Sequence, residues 1–344
     1  MNKIRQNLRI DHVEQVNQWV RCFRLVPAAE SDRLYPFLPG QYLNLFYQID
    51  GSTTSRPYSI ASSPKDAERG FYELYIHGGG SYTARWLFQN GIEGQILQAS
   101  IPAGDFHYVP GRDTPRLIGI SGGMSVTPLR SMARAVVDGS LDVELTIFCG
   151  WDSAQDILYY KEFQEYTRSC PRFKGIFNVL YGDIEGAERG YVTLEMIQKY
   201  TDVSGATFFL CGPAEMYAAV AQELAPLHIP PERCHRELPG EANTAVFLQE
   251  FTGIGQRRYC LTVTIHGQTH RISMDSTETV LVAMERAGLA PEARCRSGHC
   301  GFCQSKLTEG HVFVPSRWQT STTDNLIHPC CSFPLSDLVI EMDT

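Results

Sequence analysis

The 344-residue sequence predicts a multidomain fold in three parts: an antiparallel β-barrel, an α/β domain built on a parallel sheet, and a small α+β domain. Three observations carry this expectation. The length allows two or three domains of roughly 100 to 200 residues, each able to bury its own core. The texture of the apolar residues changes near Pro115 and again near residue 257. Of the 11 cysteines, Cys295, Cys300, Cys303, Cys330 and Cys331 crowd the last fifty residues.

The first part, residues 1–112, reads as strands because short alternating stretches (8–10, 42–49, 71–76) are separated by Gly, Pro and Asp turns, and such strands close into a barrel. From Pro115 the runs RLIGI, VELTIFC, FNVLY and ATFFLC are continuously apolar, as in strands covered on both faces. Helical patterns over 128–137, 160–166 and 214–224 lie between or after them, so residues 113–238 are expected to form βαβ units on a parallel sheet. The stretch 239–256 holds no sustained period and reads as a linker. Residues 257–344 then give a hairpin turning at His266 and Gly267, an amphipathic helix ending at Gly288, and a cysteine loop.

Composition excludes several classes. Hydrophobic residues at 43% and charged residues at 20% are ordinary for a globular chain, which removes disorder, collagen and coiled coil. A formal charge of -8 is unsuited to neutralising phosphates, so no nucleic-acid partner is expected. No apolar run approaches the roughly 18 to 20 residues of a membrane span. The opening MNKIRQNLRIDH lacks a signal-peptide core, and a cytoplasmic location is expected. An odd number of cysteines without a secretory signal is a poor disulfide framework.

The strongest motif is CRSGHCGFC. Cys295, Cys300 and Cys303 stand with four and then two residues between them, and Cys330 follows after 26 more. This is the spacing of a plant-type [2Fe-2S] site, in which one loop supplies three thiolates and a distant segment the fourth. Gly298 and Gly301 let the loop bend while its amides point at sulfur. Structural zinc sites present paired C-x2-C motifs, which the four-residue gap fits poorly. His299 reads as an exposed loop residue, since a Rieske centre needs two histidines.

Two further segments carry weaker signals. In the barrel, SRPYSIASS supplies Arg56 for a phosphate, Pro57, Tyr58 to stack on an isoalloxazine, and Ser59 to hydrogen-bond a flavin nitrogen. His77, Gly79, Gly80 and Ser81 then form a loop before a helix starting near Tyr82, whose N-terminus suits a phosphate. In the α/β part, a buried strand runs through Gly122 and Gly123 to Pro128, with Thr127 expected as N-cap and phosphate contact. Cys211, Gly212 and Pro213 end a later buried strand, where ligands of open α/β sheets sit. Each segment alone could be ordinary strand, turn or core, and GIGQRR at Gly253 lacks both the strand and the third glycine of a dinucleotide motif.

Taken in order, Arg56-Pro57-Tyr58-Ser59, the glycine-serine loop, the GG-x-x-x-TP turn and Cys211-Gly212-Pro213 resemble the ferredoxin-NADP reductase superfamily. With the cysteine cluster appended, the chain resembles phthalate dioxygenase reductase-like flavin and iron-sulfur NADH reductases over nearly its whole length. The resemblance implies a flavin-holding barrel, a nucleotide domain that presents nicotinamide to the flavin, and a β-grasp ferredoxin domain. The end of the motif, with Pro334 four residues after Cys330, implies Cys330 rather than Cys331 as the fourth ligand. The GGGS loop resembles FMN-containing relatives and IPAGDF resembles FAD-containing ones, and FAD is the expected flavin. Ser125 departs from the family, which commonly has glycine there. Asp152 stands where NADPH-using relatives place arginine; a carboxylate repels a 2′-phosphate and accepts from ribose hydroxyls, so NADH is expected over NADPH.

The implied activity is an NADH-dependent reductase passing electrons through FAD and a [2Fe-2S] cluster to a partner protein. A flavin stands between because hydride brings two electrons and the cluster takes one. Ser59 and Cys211 are the expected catalytic residues. Glu237 is placed near the flavin by the resemblance, but a lone glutamate reads as solvated surface. An oxygenase or demethylase component is the leading acceptor, with a hybrid-cluster-type or other redox protein as the alternative; a carrier with a degenerate nucleotide site is the reading from another class. Residues 257–344 carry 8 Lys or Arg against 9 Asp or Glu, so charge does not name the partner.

Overall fold

A computed structural model describes residues 5–49, 52–79, 81–237, 257–289, 291–315 and 325–342. Gly80 and the stretch expected as a linker, 239–256, lie outside the described residues. The chain divides into two compact units: residues 1–43 with 58–237, and residues 44–57 with 238–344.

The barrel strands are β1 (Arg5–Gln15), β2 (Val20–Pro27), β3 (Tyr42–Ile49), β4 (Ser52–Ser59), β5 (Tyr72–His77) and β6 (Ile96–Ser100). They form one nearly closed antiparallel sheet in the order β4-β3-β6-β1-β2-β5. Helix α1 (Pro64–Glu68) starts in a full capping box, in which Ser63 and Asp66 satisfy each other's backbone amides. Helix α2 (Tyr82–Asn90) starts at Ser81, whose hydroxyl oxygen accepts from the Ala84 amide at 3.3 Å.

The α/β part alternates strand and helix: β7 (Arg116–Gly122), α3 (Thr127–Val137), β8 (Glu144–Ser153), α4 (Tyr160–Ser169), β9 (Phe173–Tyr181), β10 (Glu188–Arg189), α5 (Leu194–Tyr200), β11 (Thr207–Cys211), α6 (Ala214–Leu224) and β12 (Cys234–Arg236). All pairings are parallel, in the order β10-β9-β8-β7-β11-β12. The apolar runs do what such runs predict: every residue of β11 is buried, and so are the five central residues of β7. Strand order reverses between β7 and β11, the place where an open α/β sheet leaves a crevice at its carboxyl ends.

The cysteine-rich part holds β13 (Arg258–Ile265), β14 (Gln268–Asp275), α7 (Val280–Arg286), β15 (Ser305–Glu309), β16 (Val312–Phe313), β17 (Leu326–Ile327), β18 (Phe333–Pro334) and β19 (Leu338–Met342). β13 and β14 form the expected hairpin, with His266 and Gly267 both at positive φ. β19 adds in parallel beside β13, giving the order β14-β13-β19-β15-β17 of a mixed grasp-like sheet under α7.

Gly40 has φ +103, and a Cβ there would lie 2.0 Å from the Phe106 carbonyl oxygen, which the backbone cannot yield cheaply. Gly94 has φ +88 but open space around it. We expect Gly40→Ala to lose about 3 kcal/mol or more, strain and overpacking together, and Gly94→Ala about 1 kcal/mol, measured as thermal unfolding of the two variants.

Candidate functional site

The site in the first unit lies where β4, β7 and β11 end. Ser59 closes β4, and its hydroxyl donates to Glu237 Oε1 at 2.8 Å. Glu237 follows β12; its amide donates to Leu210 O at 2.9 Å, so the strand pairing itself fixes where the carboxyl sits. Tyr217, on α6, donates to the Glu237 carbonyl at 3.3 Å while its oxygen accepts from the Gly212 amide at 3.2 Å. The expectation that Glu237 is solvated surface is therefore corrected: it is partly buried, and burial raises its carboxyl to about 7, opposed by the hydrogen bond from Ser59. Nothing in the sequence around Glu237 signals this, because the burial comes from chain segments distant in sequence.

Cys211 is fully buried at the end of β11, in register with Ser121 of β7. Burial first, then the negative charge of Glu237, raises its thiol far above the ordinary value, so the sulfur stays a neutral, compact group rather than a thiolate nucleophile. Gly122, Gly212 and Pro213 come together beside it. A Cβ on Gly122 would meet Pro213 and Met216 at 3.0 Å, and one on Gly212 would meet Met216 at 2.4 Å, so glycine is what lets the two strand ends approach.

Thr127 differs from expectation. It is the first residue of α3 rather than its cap, because a 3-10 turn over Gly123–Val126 already begins the helical path, and its hydroxyl donates to Met124 O at 2.9 Å. Pro128 occupies the first turn, where its missing amide costs nothing. Ser125 sits in that 3-10 turn without a positive φ, so the position does not need the glycine common in the family. Asp152 is exposed near the carboxyl end of β8, next to the buried Trp151.

On the barrel side, Tyr58 Oη lies 3.4 Å from Thr83 Oγ1, which in turn lies 3.1 Å from Ser81 Oγ, so the tyrosine is tied to the start of α2. His77 Nδ1 accepts from the Gly79 amide at 3.0 Å, and the Gly78 amide donates to Trp19 O at 2.7 Å; together they shape the loop that enters α2. These groups fit a flavin: a phenol beside a hydroxyl, and a helix N-terminus for its phosphates. Pro57 precedes Tyr58 on β4. Arg56 Nη1 is engaged by Thr54 Oγ1 and Ser55 O, both at 2.8 Å.

The cysteine loop belongs to the second unit. Cys295, Cys303 and Cys330 are buried and Cys300 is partly exposed, whereas His299 is exposed. Arg296, Gly298 and Gly301 all take positive φ, and the loop amides turn inward: Ser297 and Cys300 donate to Cys295 Sγ at 3.4 Å, and Gly298 donates to Cys330 Sγ at 3.2 Å. A hydrogen bond from the Cys300 thiol, helped by these amides, lowers the Cys295 thiol well below its ordinary value. The Cys295 and Cys300 sulfurs lie within hydrogen-bond reach of each other, as do those of Cys303 and Cys330, and Cys330 is also within reach of Cys331. Among the described residues no three His, Cys, Asp or Glu side chains gather round a single-ion position. Two sulfur pairs suit a two-iron centre with two thiolates per iron better than one tetrahedral zinc. Cys331 also donates to His328 O at 3.5 Å.

The fold and these sites define a flavin- and nicotinamide-binding oxidoreductase with an iron-sulfur domain. The oxidoreductase FAD-binding domain matches residues 7–110, the oxidoreductase NAD-binding domain residues 120–222, and the 2Fe-2S iron-sulfur cluster binding domain residues 263–335. The chain thus carries an oxidoreductase FAD-binding domain, an oxidoreductase NAD-binding domain and a 2Fe-2S domain, in that order. It is similar to the glycine betaine monooxygenase reductase subunit of Pseudomonas aeruginosa, 29% identical over 94% of each chain. The stachydrine N-demethylase reductase subunit of Rhizobium meliloti is 26% identical over 90% of each. The solved phthalate dioxygenase reductase, described as a modular structure for electron transfer from pyridine nucleotides to [2Fe-2S], shares the fold with a TM-score of 0.72 at 19% identity, over 98% of each chain. Among the described residues no helix is long and apolar enough to cross a membrane.

Glu237 makes a pH signature. Its carboxyl binds a proton more tightly folded than unfolded, so the stability it contributes is present below about pH 4.5 and is lost as pH rises through about 7. Glu237→Gln removes that loss. Urea unfolding of the variant should gain about 1 to 3 kcal/mol on wild type between pH 4.5 and about 8, and a flat difference would contradict the assignment.

Proposed function

We propose that the chain is the NADH-dependent reductase component of an oxygenase or demethylase system, delivering electrons to its partner protein. The observation that carries this reading is the Ser59–Glu237 pair beside the neutral, buried Cys211 at the sheet's reversal point, on a chain that also holds three cysteines in an amide-lined loop with Cys330 brought beside it. The relatives named as monooxygenase and demethylase reductase subunits supply the partner class. NADH use in turn suits the cytoplasm.

Bound FAD would accept the two electrons of a hydride and release them one at a time to a cluster that takes one. The chain's own residues prepare that exchange. Tyr58 and the N-terminus of α2, with His77, Gly79, Gly80 and Ser81, hold the flavin, and Arg56 supplies positive charge on the same strand. Ser59 holds its hydroxyl at the reactive face, and Glu237, half protonated near pH 7, can take or return a proton through it. Cys211 packs against the nicotinamide without competing as a nucleophile. Gly122, Gly123, Thr127, Pro128, Gly212 and Pro213 line the nucleotide crevice, and Asp152 takes ribose hydroxyls and repels a 2′-phosphate. Cys295, Cys300, Cys303 and Cys330 hold the cluster.

Three outcomes follow for the reconstituted protein. Ser59→Ala slows bleaching of the flavin by NADH about 10- to 100-fold in stopped flow, the worth of one hydrogen bond to a charge-bearing site. Cys300→Ser loses the cluster absorbance and the assayed iron and sulfide while flavin and its bleaching remain. Asp152→Arg narrows the preference for NADH over NADPH about tenfold in kcat/KM; an unchanged ratio would remove Asp152 from the site.

A further inference from the structure

Arg296 follows the first cluster cysteine, yet it is 1% exposed and adopts φ +55, a conformation costly for a side chain of its size. Burying a guanidinium demands compensation, and the second unit provides it. Its Nη2 donates to Thr54 Oγ1 at 2.9 Å and to Glu285 Oε1, and its Nε donates to Ser55 O. Glu285, 6% exposed on α7, also lies 4.0 Å from Arg56 Nη1, which itself donates to Thr54 Oγ1 and Ser55 O at 2.8 Å. Two arginines therefore share one carboxylate and the same two acceptors on β4.

β4 runs Ser52–Ser59, so the acceptors of Arg296 stand three to five residues before Tyr58 and Ser59 on one strand. We propose that Arg296 is a positioning residue for electron transfer into the cluster: its clamp on Thr54, Ser55 and Glu285 fixes the cluster loop to the strand that carries the flavin-facing residues. The strained backbone at Arg296 is what aims the side chain at β4 while Cys295 aims its sulfur at the cluster. In the step served, one electron leaves the reduced flavin and enters the oxidised cluster. No protein bond is made or broken, the flavin proton leaves by way of Ser59 and Glu237, and a second transfer empties the pair that NADH donated once the partner protein has taken the first electron from the cluster. A lost clamp leaves the cysteines in place and loosens the loop that carries them against β4, and small misplacements are costly in rate.

This inference rests on the reductase reading, and the test separates the two. In the full-length protein loaded with FAD and cluster, stopped flow resolves bleaching of the flavin by NADH from reduction of the cluster. Arg296→Met should slow the second phase about tenfold or more with the first phase, iron content and cluster midpoint potential unchanged, and Arg296→Lys should recover part of the loss. Amide hydrogen exchange at 54–57 and 294–298 should quicken in Arg296→Met. Thr54→Val, which leaves the cysteine loop untouched, should give a smaller slowing with the same sign. Cluster reduction at the wild-type rate, loss of iron, a potential shift large enough to explain the slowing, or unaltered amide exchange would each overturn the clamp. Wild-type protein whose flavin NADH does not bleach would overturn the reductase reading instead, and the exchange measurement would still decide the clamp.

Discussion

The buried guanidinium of Arg130 is the interaction on which the first unit depends. It is 4% exposed, yet it carries a full charge and belongs to α3, the helix that opens the nucleotide crevice. Its Nη1 donates to Glu73 of β5 and to the Ala61 carbonyl, its Nε donates to Glu162 of α4, and the Tyr75 and Tyr159 rings cover it at 5.0 and 4.9 Å. One turn on, Arg134 meets Asp66 at 2.6 Å, and Ser131 donates to Ser62 O at 2.6 Å. Removing one partner of such a network strands a charge in the interior at about 3 to 5 kcal/mol, so the barrel and the nucleotide sheet are held in one relation. The Ser59–Glu237 hydrogen bond needs that relation, because its donor comes from the barrel and its acceptor from the end of the sheet.

The second unit solves a different problem with the same economy of means. A loop that must turn several sulfurs inward cannot keep regular hydrogen bonds, so its amides are spent on sulfur and its backbone enters the left-handed region three times. Two of those residues are glycine, where the conformation is cheap. The third is Arg296, whose strain is offset by burial and by a set of acceptors that leaves the guanidinium no other comfortable place.

How much the sequence disclosed follows from how local each constraint is. The cysteine spacing was readable because two irons and a single loop admit few arrangements, and the continuous apolar strands were readable because burial on both faces leaves no polar alternation. Thr127 was misread because the residues before it offer no sign of the 3-10 turn that displaces the helix start. Glu237, Arg130 and Arg296 escaped for a shared reason. Charged residues in isolation belong on the surface, and only the tertiary fold reveals that Ser59, Glu73 and Glu285 are waiting for them.

That shared reason has a chemical side. A buried charged group persists only where its partner is fixed, and a fixed partner is what a redox site requires of its surroundings. Glu237 near neutrality is poised between two protonation states by burial alone, with Ser59 tilting the balance toward the anion. Cys211, a residue away from the crevice glycine, is pushed by the same burial toward the opposite task, an inert thiol that packs and does not react. One desolvated pocket thus yields a group that titrates near neutral pH and a group that does not. The difference lies in their ordinary pKa values: the same displacement brings a carboxyl into the working range of pH and carries a thiol out of it.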